Sequence, residues 1–254
     1  MGRRKSTTRQ LYVNIFNDMN TDWEAIANAR DTEHEVDSLE DTIPKKGVVL
    51  DLCCGTGRHS IALVKRGWNV VGIDLSRNLL EIAKSKMKRV VLRFPLVRAD
   101  MRFFPFREGT FSAILSMFTS FGYLPSESED VMSLLEINRT LKKRGRFLLD
   151  LANRDHIVKS FRERDWAEFE PFYMFEKRSF DLKNSKLSSQ WTIIKKHSCK
   201  VKTIQHTVRL YTPTRIKQLL NEAGLRIKDI RGGYDKQEFT LEASRMIVVA
   251  HKLA

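Results

Sequence analysis

Cysteine is scarce in this chain. Three cysteines, Cys53, Cys54 and Cys199, are too few and too irregularly spaced for a disulfide framework or a zinc site. Long apolar runs are also missing. None approaches the roughly 18–20 residues that span a bilayer, so no membrane segment is expected. The basic start, Met1-Gly2-Arg3-Arg4-Lys5, has no apolar stretch behind it, which predicts no signal peptide and a cytoplasmic location. Internal repeats, linkers and low-complexity tracts are absent as well. With 42% hydrophobic residues, the 254-residue chain has enough apolar side chain for a sizeable core and is not a disordered tail.

Negative charge is in deficit. Forty-five Lys+Arg against 31 Asp+Glu leave a formal charge of +14. Such an excess suits a polyanionic partner, but the basic residues are dispersed. The clusters Lys84/Lys86/Lys88/Arg89 and Lys142/Lys143/Arg144/Arg146 fall where helices are expected to end, where cations complement the helix dipole. The plainer reading is a solvated, ion-paired surface.

Helical spacing runs through residues 11–43 (Leu11, Ile15, Met19, Val36, Leu39, Ile43) and stops at Pro44. From there, apolar strands alternate with helices. The strands are Gly47–Leu52, Trp68–Asp74, Val90–Val97, Thr110–Met117 and Arg146–Leu151, with helices reaching Arg66, Lys88 and Leu141 between them. Apolar strands of this kind, joined through helices, make a parallel sheet with right-handed crossovers. Between Trp166 and Tyr211 the period changes to two, which predicts three or four antiparallel strands inserted after strand five. A helix from Pro213 to Gly224 and an antiparallel pair, Leu225–Ile230 and Arg245–Ala250, close the sheet. The fold class is therefore α/β, Rossmann-like and doubly wound, with seven strands and an antiparallel insert.

The site-bearing segment is Val49-Leu-Asp-Leu-Cys-Cys-Gly-Thr-Gly-Arg-His-Ser60. A strand ends in Asp51, turns through Gly55 and Gly57, and enters a helix whose first N–H groups are unpaired. A dinucleotide turn needs another glycine where Arg58, His59 and Ser60 stand. Asp51 would also repel a pyrophosphate, whereas it would welcome an ammonium group. Asp74 ends the second strand, placed to take both hydroxyls of a ribose. Asp100, followed by Met101, ends the third, placed to accept from an exocyclic amine beside an apolar side chain. Three neighbouring strand ends thus address an amino acid, a ribose and an adenine.

Taken together, Asp51-Leu-Cys-Cys-Gly-Thr-Gly57, Asp74 and Asp100-Met101 resemble class I S-adenosylmethionine-dependent methyltransferases over residues 11–254. Met117-Phe-Thr-Ser-Phe-Gly-Tyr-Leu124, the insert and His206-Thr-Val-Arg-Leu-Tyr-Thr212 are similar to small-molecule N-methyltransferases of the amino-sugar type. The resemblance implies that Asp51, Cys53, Gly55 and Gly57 hold the methionine end of S-adenosylmethionine, Asp74 and Leu75 the ribose, and Asp100 and Met101 the adenine. Ser116 and Met117 would floor the sulfonium, Arg30 would reach the cofactor carboxylate, and Tyr12 would close over the cofactor. Tyr123 and His206 are the candidate proton acceptors, and the sequence departs from some sugar enzymes in carrying Tyr123 where they have histidine. No metal is implied.

The implied division is a helical lid at 1–44, the cofactor core at 45–160, an acceptor-covering insert at 161–212 and the rest of the core at 213–254. The expected reaction is in-line methyl transfer to a nitrogen or oxygen of a small molecule, by a monomer or homodimer. Two alternatives remain: a tRNA or rRNA methyltransferase using the basic surface, and a catalytically silent binding subunit. Against the first, Ser116-Met-Phe-Thr119 lacks the Asn/Asp-Pro-Pro-Tyr/Phe grip on a base amine.

Overall fold

Val49 and Leu50, Ala113 and Ile114, Leu148 and Leu149, and Val248 and Val249 are adjacent pairs whose members are all buried, but in different layers. Side chains alternate across a strand, so a strand apolar at both parities needs cover on both faces. In a computed structural model, which describes residues 8–253, helices supply that cover.

The elements in order are α1 (Thr8–Asn28), α2 (Thr32–Asp37), β1 (Val48–Leu52), α3 (Arg58–Lys65), β2 (Asn69–Asp74), α4 (Arg77–Arg89), β3 (Leu96–Arg98), β4 (Phe111–Ser116), α5 (Glu127–Thr140), β5 (Leu141–Ala152) and α6 (Arg154–Lys159). They continue with β6 (Arg164–Phe169), β7 (Phe172–Asp181), β8 (Lys186–Lys195), β9 (Val201–Arg209), α7 (Pro213–Glu222), β10 (Leu225–Arg231) and β11 (Arg245–Lys252). One sheet has the order β10-β11-β5-β4-β1-β2-β3, and β6-β7-β8-β9 form a second, antiparallel sheet. β1 to β5 are mutually parallel, and β11 runs antiparallel to β5 and β10. Leu134, Ile137, Ile216 and Leu219 from α5 and α7 cover one face; Val36, Leu39, Ala62 and Leu63 cover the other. The chain order reverses between β1 and β4, which opens a crevice at their carboxyl ends. Among the described residues no helix is long and apolar enough to cross a membrane.

The expected third strand, Val90–Val97, shrinks to Leu96–Arg98. α4 runs to Arg89, Val90 caps it, and Val91 is 90% exposed at φ 54°, so this apolar run has nothing to bury against. β5 starts earlier than expected, at Leu141. The Lys142-Lys143-Arg144 cluster is therefore not a helix end but lies at a register shift beside β4, with Arg144 at φ 59°. The insert has four strands and the last two strands form the expected antiparallel pair, with β10 at the edge. α1 packs across α4 and β9, bridging the core and the insert.

Candidate active site

After Leu52 the chain takes a left-handed step at Cys53 (φ 59°), again at Gly55 (φ 55°), and again at Gly57 (φ 76°). Gly57 caps α3 without a side-chain hydrogen bond, and a Cβ there would come within 3.2 Å of Ala83 Cβ. The turn's backbone donors are thereby exposed at the tip of β1. Asp51 is buried behind it and accepts from Ser60 Oγ at 2.5 Å; burial pushes its carboxyl up. Asp74 accepts from the Gly55 N–H at 2.9 Å and the Ser76 N–H at 2.8 Å, which ties the tip of β2 to the glycine turn. Burial outweighs those donors and raises its pKa to about 6. Asp100 is held by Arg102, from its backbone N–H (3.0 Å), Nε (2.9 Å) and Nη2 (2.6 Å), and Met101 is buried in the core beside it.

The three acids therefore do stand at adjacent strand tips, in differing settings. Cys53, Gly55, Asp74 and Leu75 line one cavity with Leu79, Ser120 and two rings of α1, Phe16 and Trp23. Its volume is about 40 Å³, room for a few waters and far less than a nucleoside needs. Tyr12 lies on α1, but its side chain falls outside the described residues.

At the tip of β4, Ser116 is buried and its Oγ has no partner among the described residues. Met117 is buried in the apolar layer beneath α2 and α3. Phe118 and Thr119 then follow at φ 56° and 57°. That left-handed pair, costly for non-glycine residues, is pinned by Asp150. Wholly buried, Asp150 accepts from the Phe118 N–H (2.7 Å), Tyr234 Oη (2.7 Å), and Arg245 Nε (2.8 Å) and Nη2 (2.5 Å). Three guanidinium groups surround the Phe118 ring: Arg30 at 5.3 Å, Arg58 at 5.5 Å and Arg245 at 5.8 Å. Glu35 pairs with Arg30 (3.1 Å), Arg58 and His59 (2.8 Å). Burial opposes its ionisation, but His59 and Arg58 prevail and hold it at about 2. Buried Arg58 keeps Nη2 without a partner among the described residues, beside Arg30. A carboxylate would satisfy that donor, so these residues fit the amino-acid end of S-adenosylmethionine. Sequence reasoning had placed Arg30 here. It missed Glu35, Arg58 and Asp150, although Arg58 follows Gly57 directly.

Across Phe16 lies a different environment. Gly122 sits at φ 102°, and a Cβ there would be 2.3 Å from the Arg209 carbonyl oxygen. Only glycine permits that approach, which lets the Arg209 N–H bond Gly122 O at 2.8 Å and brings β9 against the loop. Tyr123 and His206 thereby stand with ring centroids 6.0 Å apart, Trp191 is 4.2 Å from His206, and Phe16 is 5.5 Å from Tyr123. Burial lowers the His206 pKa to about 4, against a weaker opposing pull from Glu176, and its Nδ1 has no partner. Burial raises the Tyr123 phenol well above its ordinary range. Glu176 accepts from Trp191 Nε1 at 2.9 Å. Tyr123 and His206 both line a cavity of about 660 Å³, together with Gly122, Ser189, Gln190 and Arg209.

Residues 49–145 match the family described as "Methyltransferase domain". A putative methyltransferase of Bacillus subtilis, YqeM, is 33% identical over 132 residues, covering 51% of this chain and 52% of that protein. The chain spans about half the length of the curated relatives it matches first. Among solved structures, an S-adenosylmethionine-dependent methyltransferase from Clostridium acetobutylicum aligns over 94% of this chain and 99% of its own, with TM-score 0.81 and 18% identity. The sugar N-methyltransferase KedS8 from Streptoalloteichus aligns over 92% and 93%, with TM-score 0.73 and 18% identity. Residues 49–145 thus resemble a methyltransferase domain, within a chain whose fold is similar to that of an S-adenosylmethionine-dependent methyltransferase.

Proposed function

We propose that this chain transfers the methyl group of S-adenosylmethionine to a nitrogen or oxygen of a small-molecule acceptor, an amine above all. One juxtaposition carries the reading. A charge-paired set of strand tips meets, across Phe16, an aromatic cavity wall that holds one neutral histidine. The likeness to a sugar N-methyltransferase supports a small acceptor. Residues 1–44 and 161–212 act in this scheme as the covers of the cofactor and acceptor sides, and the free thiols Cys53, Cys54 and Cys199 suit a cytoplasmic enzyme.

Arg58 and Arg30 hold the cofactor carboxylate, Asp51 and the backbone of Cys53, Gly55 and Gly57 the rest of the methionine end, Asp74 and Leu75 the ribose, and Asp100 and Met101 the adenine. Ser116 and Met117 back the sulfur. S-adenosylmethionine supplies a methyl group on a sulfonium whose departure as a neutral thioether needs no acid. The protein's task is to align the acceptor, exclude water and free its lone pair. The Glu176 carboxylate, close enough to act on both Tyr123 and His206, is shared between Trp191 Nε1 and Arg178, 3.7 Å away. His206 is unprotonated near neutrality and takes the proton that the amine must shed. Tyr123 keeps its own proton and donates a hydrogen bond to the acceptor.

Calorimetry with S-adenosylmethionine tests the assignment. Arg58→Ala should weaken it about 10–100-fold, the loss of one charge-assisted hydrogen-bonded pair, while leaving methylthioadenosine, which has no carboxylate, unaffected. Asp74→Asn should weaken both ligands. Unchanged affinity in both variants overturns the reading.

A further inference from the structure

The chain's excess positive charge has a location. At the opposite end of the sheet from the glycine turn, a groove of about 600 Å³ opens between the α2–β1 connection and β5, β11 and β10. Arg146 at the start of β5 pairs in register with His251 of β11, and His251 with Arg226 of β10. Three basic side chains thus stand in one row on strands about 4.8 Å apart. Arg144, Lys228 and Lys252 add to the groove wall, over a floor that includes Val249 and Ala250.

The partners of these cations set the groove apart. Arg146 donates only to the carbonyls of Asp41 (3.1 Å) and Thr42 (2.6 Å), and Lys252 only to the carbonyl of Leu141 (3.1 Å). Arg144 and Lys228 have no partner among the described residues. The two side-chain carboxylates that line the groove among the described residues are already engaged, Asp41 by Lys236 (2.6 Å) and Asp229 by Arg231 (2.6 Å). Four cations therefore lack a counter-charge among the described residues, whereas Arg58, Arg102, Arg209 and Arg245 each pair with a buried or half-buried carboxylate. Like charges gathered in a concave wall focus a positive potential into it. Arg146 and Lys252 are fixed in place by carbonyls, so an incoming anion does not have to order them.

We infer that this groove binds a single strand of nucleic acid through its phosphates, at a place separate from the methyl-transfer site. Cations on three neighbouring strands, Arg144 and Arg146 on β5, Lys252 on β11 and Lys228 on β10, match a repeating anion better than one isolated ion. The one large apolar side chain exposed in the groove wall, Leu253, is too little apolar surface to seat in a bilayer.

The test is fluorescence anisotropy of a labelled single-stranded oligoribonucleotide, titrated with the full chain over a series of KCl concentrations. Arg144→Glu with Lys228→Glu should lower affinity at least about tenfold and flatten log K against log[salt] by about 0.7 for each cation removed. Lys183→Glu with Lys217→Glu makes the same charge change on exposed positions elsewhere and should have a much smaller effect. Equal losses in the two pairs would assign binding to overall charge and overturn the inference. So would displacement of the strand by inorganic phosphate or by polyglutamate at matched charge, or the absence of salt-dependent binding. Both pairs should bind S-adenosylmethionine as the parent does, which keeps this result independent of the proposed reaction. If the glutamate pair does not fold, Arg144→Gln with Lys228→Gln carries the same test, with a smaller loss expected.

Discussion

The two sides of Phe16 handle buried polarity in opposite ways. On the strand-tip side, charge is kept by pairing: Glu35 with Arg58 and His59, Asp150 with Arg245, Asp74 with two backbone N–H groups. On the insert side, charge is suppressed, because His206 lies between Trp191 and Tyr123 with Nδ1 unpartnered. Under the proposed reaction, the site that grips a zwitterion would need permanent charges, and the site that accepts a proton a base that is neutral beforehand. Pairing supplies the first condition and aromatic burial the second.

The comparison breaks most visibly if pairing is removed. Asp150→Ala would leave Arg245 buried without its carboxylate and unpin the left-handed Phe118–Thr119 step. Stripping one partner from a buried ion pair costs about 3–5 kcal/mol. Urea unfolding should show that loss, whereas His206→Gln, which removes no paired charge, should cost far less. Equal destabilisation by the two would erase the contrast.

A smaller effect, about 2 kcal/mol, sharpens it through pH. The Asp74 pKa rises from 3.8 to about 6 on folding, so between those values the folded state binds more protons. Its contribution to stability is complete below pH 3.8 and is lost as pH rises through 6. The His206 pKa falls from 6.5 to about 4, so its contribution is complete above pH 6.5 and is lost as pH falls through 4. Subtracting the urea stability of Asp74→Asn from that of the parent across pH 4–7 should give a falling curve, and the same subtraction for His206→Gln a rising one, each spanning about 2 kcal/mol. Two curves of the same sign would contradict the burial argument on one side. The raised pKa of Asp130, about 6, cancels because both variants retain that residue.

What the sequence discloses follows the same divide. Asp51, Gly55, Gly57, Asp74 and Asp100 were readable because each marks a strand end within one local segment. The Glu35–Arg58 pair spans 23 residues and the Asp150–Arg245 pair 95, and local pattern carries no information on which distant side chains meet. The alternation over 166–211 announced an antiparallel insert, but the contact of His206 with Tyr123 depends on Gly122 letting the Arg209 carbonyl approach. Val90-Val-Leu92 read as a strand by composition, and the structure spends it on the end of α4 because its side chains find no core there. Arg102 clasping Asp100 two residues away is a local pairing at the site that the sequence reading did not draw.

The smallest effect concerns the boundary itself. Phe16 and Trp23 of α1 meet at 5.3 Å edge to face, Trp23 also stands 5.7 Å from Phe118, and together they roof the 40 Å³ cavity at Asp74. If a nucleoside binds there as proposed, these rings must move aside, and α1 would then set the rate of entry more than the depth of the final affinity. Phe16→Ala removes an edge-to-face contact with Trp23 and another with Tyr123, each worth roughly 0.5–1.5 kcal/mol. If those contacts hold the roof closed, the variant should bind S-adenosylmethionine about 3–10-fold faster in stopped-flow fluorescence, at nearly constant equilibrium affinity. A slower on-rate would mean that Phe16 instead helps to form the cofactor's own wall, and the division between the two sides would then lie deeper in the fold, at Ser120 and Gly122.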